Sequence, residues 1–359
     1  MAGDTDIVVV GAGVAGLAAA RALAASGRGV TVFEQHAIGH DRGSSHGSSR
    51  IFRLAYRDER YVRLAQGALA GWRELEAEYG SPLLVQTGGL DVGPVAGEIA
   101  RSLSACGVPC ELLTGARAAE RWPLHFDPEE QVLFQPDGGI ARSDLALRAL
   151  ADGARAAGAE VVEEARVTAL EPVRGAIAVQ AAGRSLTAGA VVVTGGAWAR
   201  QLLDPLAIEL PVIPTRETVS YFRLPQAEEV PPLIDWTAIA REGFGVVRPG
   251  QASYGLPAPG RGLKAGLHHS GPVADPDDGG GPEQGAVRWA AAWVARRYPE
   301  ADPSPLASET CLYTNTADEG FVLERHGRVV VGSACSGHGF KFAPLIGRTI
   351  AALARDAAG

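Results

Sequence analysis

Apolar residues fill positions 7–10 without interruption, a glycine-rich turn follows, and a second apolar run leads to Glu34. Four apolar residues with no polar alternation predict a strand buried on both faces, as in a parallel sheet covered by helices. Residues 14–26 between the two runs predict a helix, so 6–34 reads as strand, turn, helix, strand. Further on, Val62, Leu64, Leu69, Trp72 and Leu75 fall at helical spacing within 60–79, and Gly80 with Pro82 closes the segment. Ser143 predicts the cap of a helix running to about Ala157, with Gly158 as its stop. Helical periodicity returns at 286–297 and from about Pro344.

Strand patterns interrupt these helices at 85–92, 132–135, 160–163, 190–194 and 329–331. From 213 to 267 the chain changes to short β-rich runs broken by proline and glycine, such as 220–224 and 244–248, which predicts an antiparallel sheet. Residues 271–285, GPVADPDDGGGPEQG, read as a mobile surface loop. The fold class that follows is α/β with α+β. A Rossmann-like domain over 1–82, 140–210 and 318–359 is interleaved with a second domain over 83–139 and 211–317, built on a mixed or antiparallel sheet.

The turn after the first strand carries Gly11, Gly13 and Gly16 at G-x-G-x-x-G spacing. The first glycine permits the tight turn, the second lets a pyrophosphate approach the backbone, and the third lets helix and strand lie close. The helix then aims its first amides at that pyrophosphate. Glu34 stands 34 − 16 = 18 residues beyond the last glycine, where a carboxylate accepts ribose hydroxyls. These residues predict a dinucleotide and leave NAD and FAD both open. A second G-x-G-x-x-G is absent, which argues against a separate nicotinamide site.

A net charge of −8 over 359 residues, with no basic stripe, speaks against nucleic-acid or anionic-membrane partners and for a small-molecule substrate. The first strand starts close to Met1, no apolar run reaches membrane-spanning length, and no peroxisomal tripeptide closes the chain, so a cytoplasmic location is expected. Cys106, Cys110, Cys311 and Cys335 are too few for a disulfide framework, and no histidine pattern completes a metal site around them. Cys106 and Cys110 read as buried bystanders. Among 33 Lys plus Arg only Lys264 and Lys341 are lysine. An ammonium is compact and loses its proton when desolvated, whereas guanidinium is bulky and permanently charged, so these two positions are candidates for chemistry.

Several motifs together resemble the monomeric sarcosine oxidase and N-methyltryptophan oxidase group of FAD-dependent amine oxidases. They are GAGVAG at 11–16, GSSHGSSRIFR at 43–53, YGLP at 254–257, GLKAGLHHSG at 262–271, CLYTNT at 311–316 and SGHGFKFAP at 336–344. The resemblance implies FAD as cofactor, joined at its 8α-methyl carbon to the sulfur of Cys311, with Ser44, His46 and Arg50 close to the flavin. Positive charge there, from Arg50 and His46, would favour the thiolate. It further implies that Gly337, Gly339, Phe340 and Lys341 present the last glycine loop to the flavin ring.

For the reaction, the resemblance implies that Arg53 and Lys341 hold the substrate carboxylate, with Lys264 over the opposite flavin face where oxygen is activated. His268 would influence amine binding, and Tyr254 and Tyr313 would form the aromatic wall. The implied reaction is hydride transfer from the carbon beside a secondary amine, N-methyl or cyclic, to flavin N5. An imine forms and O2 is reduced to hydrogen peroxide, in a monomeric enzyme that needs no metal. Leu256, Leu312 and Asn315 depart from the group's commoner residues, so N-methyl amino acids bulkier than sarcosine, cyclic imino acids and biosynthetic intermediates remain open as substrates. So do a primary amine or amino acid, and a dehydrogenase that uses an acceptor other than O2.

Overall fold

The strand Thr5–Val10 is the middle of a parallel core, and its register explains its uninterrupted apolar sequence. Ile7 and Val9 face a helical layer, Val8 and Val10 face the opposite side, and Ile7, Val8 and Val9 are fully buried. Val30–Phe33 and then Glu160–Val162 lie parallel on one side, and Arg184–Val193 and then Val329–Ser333 on the other. The first half of Arg184–Val193 instead carries an antiparallel extension, Ala176–Ala181 and Val167–Val173. In this computed structural model residues 4–237 and 251–358 are described, so the strand expected at 244–248 lies outside the described residues.

Helices Val14–Ala25, Glu59–Tyr79, Ser143–Ala156 and Ala343–Ala358 form one layer over the sheet. Glu59–Tyr79 starts where the Asp58 carboxylate accepts from the Arg60 N–H at 2.8 Å and stops at Gly80, whose φ is 74°. Its stripe of Val62, Ala65, Ala68, Trp72 and Leu75 is buried. Ser143 does not cap its helix. It is the first helical residue, and its hydroxyl donates to Gly47 O at 2.7 Å, which ties the helix to the 43–53 loop.

A second sheet of eight strands runs in the order Ala307–Asn315, Ile213–Phe222, Gly262–Leu267, Ser253–Ala258, Leu233–Asp235, Gly89–Val92, Gln131–Gln135, Glu111–Thr114. Every neighbour is antiparallel except Leu233–Asp235 against Gly89–Val92. Helix Gln284–Arg297 covers this sheet with Ala290, Trp293 and Val294 on Phe222 and Leu263. The single strand expected over 85–92 is divided. Leu84–Val85 pairs with Gly139–Ala141, which also pairs with Arg50–Phe52, and only Gly89–Val92 joins the large sheet.

Residues 271–285 are not a free loop. Asp277 accepts from Trp198 Nε1 at 2.8 Å, Gln201 Nε2 at 3.0 Å and Arg166 Nη2 at 3.3 Å, which ties the segment to the nucleotide side of the chain. Among the described residues no helix is long and apolar enough to cross a membrane.

Arg297 holds the helix to the second sheet. Wholly buried, it donates from Nε to Asp235 at 2.7 Å and from Nη1 and Nη2 to both Glu130 oxygens at 2.7 and 2.8 Å. Trp293 Nε1 also donates to Asp235. Arg297→Ala would leave buried Asp235 without a cation and Glu130 with only Arg296 at 3.9 Å, and we expect a loss of about 3–5 kcal/mol in urea unfolding. An unchanged midpoint would refute this role.

Candidate active site

The glycine turn is built by contact. A Cβ on Gly16 would lie 1.9 Å from Gly11 O and 2.6 Å from Thr194 Oγ1, so helix, turn and neighbouring strand meet at a distance only glycine permits. Gly13 is the N-cap of the helix, and Gly11 closes onto Phe33 O at 2.8 Å. Glu34, nearly fully buried, accepts from the Ala12 amide at 2.7 Å and the His36 amide at 3.0 Å. Burial raises its pKa against the pull of these amides.

From this turn a cavity of about 720 Å³ extends between the two sheets. Every residue singled out from the sequence lines it except Gly16, which packs beneath the turn: Gly11, Gly13, Glu34, Ser44, His46, Arg50, Arg53, Tyr254, Lys264, His268, Cys311, Tyr313, Gly337, Gly339, Phe340 and Lys341. Residues from both ends of the sequence therefore face one space.

In the middle of the cavity, Arg50 donates to Ser44 O at 2.6 Å and Ser49 O at 2.9 Å, and the Ser44 hydroxyl donates to Leu312 O. The Arg50 bonds brace the 43–53 loop from within, and the Ser44 bond docks it against the strand that bears Cys311. Lys264 is buried, and desolvation together with Arg50 pulls its pKa down to about 7. Burial raises the Cys311 thiol, while Arg50 and Lys264 pull it the other way. His46 does not supply the positive charge expected of it. Burial, with Arg50 and Lys264 beside it, lowers its pKa to about 4, so its ring is neutral at ordinary pH.

At the far end, Arg53 Nη1 donates to Ala55 O and lies 3.5 Å from Asp91 Oδ1, with its guanidinium 4.2 Å over the Tyr56 ring. Lys341 Nζ donates to His338 O at 3.0 Å, and Trp72 Nε1 holds Lys341 O at 2.7 Å. Burial drives the Lys341 pKa well down, and that of His268 likewise. Tyr254 and Tyr313 are raised by burial and stay neutral. Gly337 has φ of 73°, and a Cβ there would come within 2.4 Å of both Tyr313 and His268.

Residues 6–353 match the profile of the family described as FAD dependent oxidoreductase. The chain belongs to this family. It is similar to the peroxisomal sarcosine oxidase of Homo sapiens, 35% identical over 96% of this chain and 90% of that one. It is also similar to the monomeric sarcosine oxidase of Bacillus sp. (strain B-0618), 34% identical over 97% and 92%. Among solved structures, the open form of NikD, described as an unusual amino acid oxidase essential for nikkomycin biosynthesis, aligns with a TM-score of 0.86. It is 27% identical, covering 98% of this chain and 93% of NikD. The FAD-dependent oxidoreductase fold expected from the sequence is thus borne out.

The residues present fit FAD. The cavity volume lies within the roughly 300–1,000 Å³ typical of ligand sites. His46 Nε2 and the hydroxyls of Ser48 and Ser49 are buried without a hydrogen-bond partner among the described residues, and His46 and Ser49 line the cavity where a polar ligand would satisfy them.

Sequence reasoning missed several groups. Asp91 and Trp236 stand behind Arg53, with Trp236 Nε1 donating to Asp91 Oδ1 at 2.8 Å. Buried Glu217 accepts from the Ser270 and Gly271 amides, both at 2.9 Å, and so fixes the turn that carries His268. The one available signal was acidic residues inside β-rich runs, where burial demands a partner. His268, His269 and Glu319 also bring ligand-type atoms within 4.8 Å, a grouping not anticipated from the sequence; His269 Nε2 lies 3.9 Å from the exposed Glu319 carboxylate.

Lys264 gives a pH-dependent prediction for the cofactor-free oxidoreductase. Its folded pKa of about 7 lies below its ordinary 10.5, so between these values the unfolded chain binds the extra proton. Its burial therefore opposes folding fully below pH 7 and ever less as pH rises toward 10.5. Lys264→Met should raise Tm at pH 6.5, by an amount equivalent to about 2–4 kcal/mol, with the gain shrinking toward pH 10. A gain independent of pH would contradict the assignment.

Proposed function

We propose that this protein is an FAD-dependent oxidase of a secondary amino acid, N-methyl or cyclic, with Arg53 and Lys341 as the carboxylate anchor. One observation carries the reading: a single cavity is lined by the glycine turn, by Cys311 and by the two cations Arg53 and Lys341. The similarity to two sarcosine oxidases and to an amino acid oxidase supports it. On this reading residues 1–82, 140–210 and 318–359 serve the cofactor and 83–139 and 211–317 the substrate.

FAD, when bound, would supply the hydride acceptor and the route by which the electron pair reaches O2 to give hydrogen peroxide. Gly11, Gly13 and Glu34 would hold its dinucleotide half, Arg50, Ser44, His46, Gly337, Gly339 and Phe340 would border its ring, and Cys311 would hold it through sulfur. Arg53, a fork, and Lys341, a point charge, fix the substrate carboxylate and thereby the carbon beside the amine. His268, neutral because it is buried, offers an imidazole nitrogen that accepts a proton or hydrogen bond from the substrate amine. Tyr254 and Tyr313 close the aromatic wall and keep water out. Lys264 places an ammonium against the negative charge that oxygen acquires. The monomeric relative is consistent with a monomer here.

Oxygen uptake and peroxide release across N-methyl, cyclic and primary amino acids test the reading. Turnover of secondary amino acids is expected; reduction of a dye with no oxygen uptake would replace oxidase by dehydrogenase. Arg53→Met and Lys341→Met should each lower kcat/KM about 10- to 100-fold, the worth of one charge-assisted hydrogen bond. For the attachment, the Cys311 peptide of acid-denatured enzyme should carry the mass of the flavin. Free yellow cofactor in the supernatant, with that peptide unmodified, would overturn the covalent link.

A further inference from the structure

Arg53 and Lys341 pose an electrostatic problem that the substrate solves only while it is bound. Both cations lie over the Tyr56 ring, Arg53 at 4.2 Å and Lys341 at 5.7 Å, and after burial the Arg53 charge is what most disfavours that of Lys341. Arginine cannot shed its proton, so in the resting enzyme the burden falls on Lys341, which can. A Lys341 without its proton is no longer a charge for a carboxylate.

The charged and titratable groups around Lys341 come from every side of this corner. Arg53 and Tyr56 follow the strand Arg50–Phe52, His338 belongs to the glycine loop, and His268 projects from the hairpin turn after Gly262–Leu267. Helix Glu59–Tyr79 contributes the Trp72 N–H, which goes to the Lys341 carbonyl, and Tyr61, which packs on Tyr56 and His338 and whose pKa burial raises. Burial keeps both histidines neutral and Tyr56 protonated. The remaining charged group is Asp91, on the strand Gly89–Val92, 3% exposed and 3.5 Å from Arg53 Nη1. Burial raises its pKa, and Arg53, the Trp236 Nε1 hydrogen bond to its Oδ1 at 2.8 Å and Lys341 pull it back toward the ionised form.

We infer that Asp91 is a positioning residue for substrate binding, the built-in counter-ion that keeps Arg53 oriented and Lys341 protonated while no substrate carboxylate is present. The corner then carries net charge +1, from two cations and one anion, and a single incoming carboxylate neutralises it. Asp91 does not line the cavity, so it acts through the two cations and not by touching the substrate. The inference rests on the reading that Arg53 and Lys341 bind the carboxylate.

The test uses the holoenzyme and propanoate, a carboxylate with no amine to titrate, as competitive inhibitor over pH 6–10. In the wild type, inhibition should weaken with an alkaline limb as Lys341 loses its proton. Asp91→Asn removes the anion. Propanoate should then bind more tightly at pH 6, and the limb should move at least one pH unit lower. The two profiles therefore cross. Asp91→Glu, which restores the charge, should move the limb back.

Simple structural damage would weaken binding at every pH with no crossing and would overturn the inference, as would a limb that does not move. Should Asp91→Asn fail to fold, Trp236→Phe keeps a ring and removes the N–H that favours the ionised Asp91. It should shift the limb in the same direction by a smaller amount, and an unmoved limb there also overturns the inference. If propanoate does not compete in the wild type, the carboxylate anchor itself is wrong and the inference falls with it.

Discussion

Four of the cations that line one cavity set the terms for the rest of this molecule. Arg50, Arg53, Lys264 and Lys341 stand in its wall beside Arg57 and Arg166, and the two lysines are 6% and 5% exposed. Burying charge is unfavourable unless it is paired or surrounded by hydrogen-bond acceptors. Arg50 turns its N–H groups to the Ser44 and Ser49 carbonyls, Arg53 to the Ala55 carbonyl and Asp91, and Lys341 to the His338 carbonyl. Among the described residues no carbonyl accepts from Lys264 Nζ, and desolvation together with Arg50 lowers its pKa to about 7. The fold thus holds a surplus of positive charge that a dinucleotide cofactor and a carboxylate substrate would relieve.

This constraint also accounts for the two lysines in a chain that otherwise uses arginine. Positions 264 and 341 are places where a cation must tolerate near-complete desolvation. An ammonium meets that demand by releasing a proton; a guanidinium would have to keep its charge. Lysine there follows from the site, while arginine elsewhere sits mostly in solvated ion pairs such as Arg60 with Asp58 or Arg117 with Glu120.

What the sequence disclosed was local or compositional. The glycine turn, the apolar run of Thr5–Val10 and the apolar spacing and stop of Glu59–Tyr79 are local, and the scarcity of lysine is compositional. The 43–53 loop and the Cys311 segment became meaningful through resemblance, because their meeting depends on bonds such as Ser44 to Leu312 that span the chain. Asp91, Glu217 and Asp277 escaped notice for the same reason. Each is one acid in an unremarkable stretch whose partners are remote: Arg53 and Trp236 for Asp91, the hairpin turn at Ser270 for Glu217, Trp198 and Gln201 for Asp277. Asp277 is also why residues 271–285, disordered by composition, are held. Three donors from elsewhere in the chain, Trp198, Gln201 and Arg166, outweigh the freedom that glycine and proline suggest.

The adjacent residues Asp235 and Trp236 join stability to recognition. Asp235 closes the strand Leu233–Asp235 and takes Arg297 and Trp293, the bonds that hold helix and sheet together. Trp236 lines the cavity and gives its N–H to Asp91, which faces Arg53. A carboxylate anchor must keep its fork in place while the substrate comes and goes, and a guanidinium on a flexible stem does not do so unaided. Fixing Trp236 through its neighbour, in the interior of the second sheet, gives Arg53 a rigid reference that the loop carrying it does not supply. The buried Arg297 cluster is therefore more than a clamp on a helix. It sets the position of the strand end from which the substrate-facing charges are arranged.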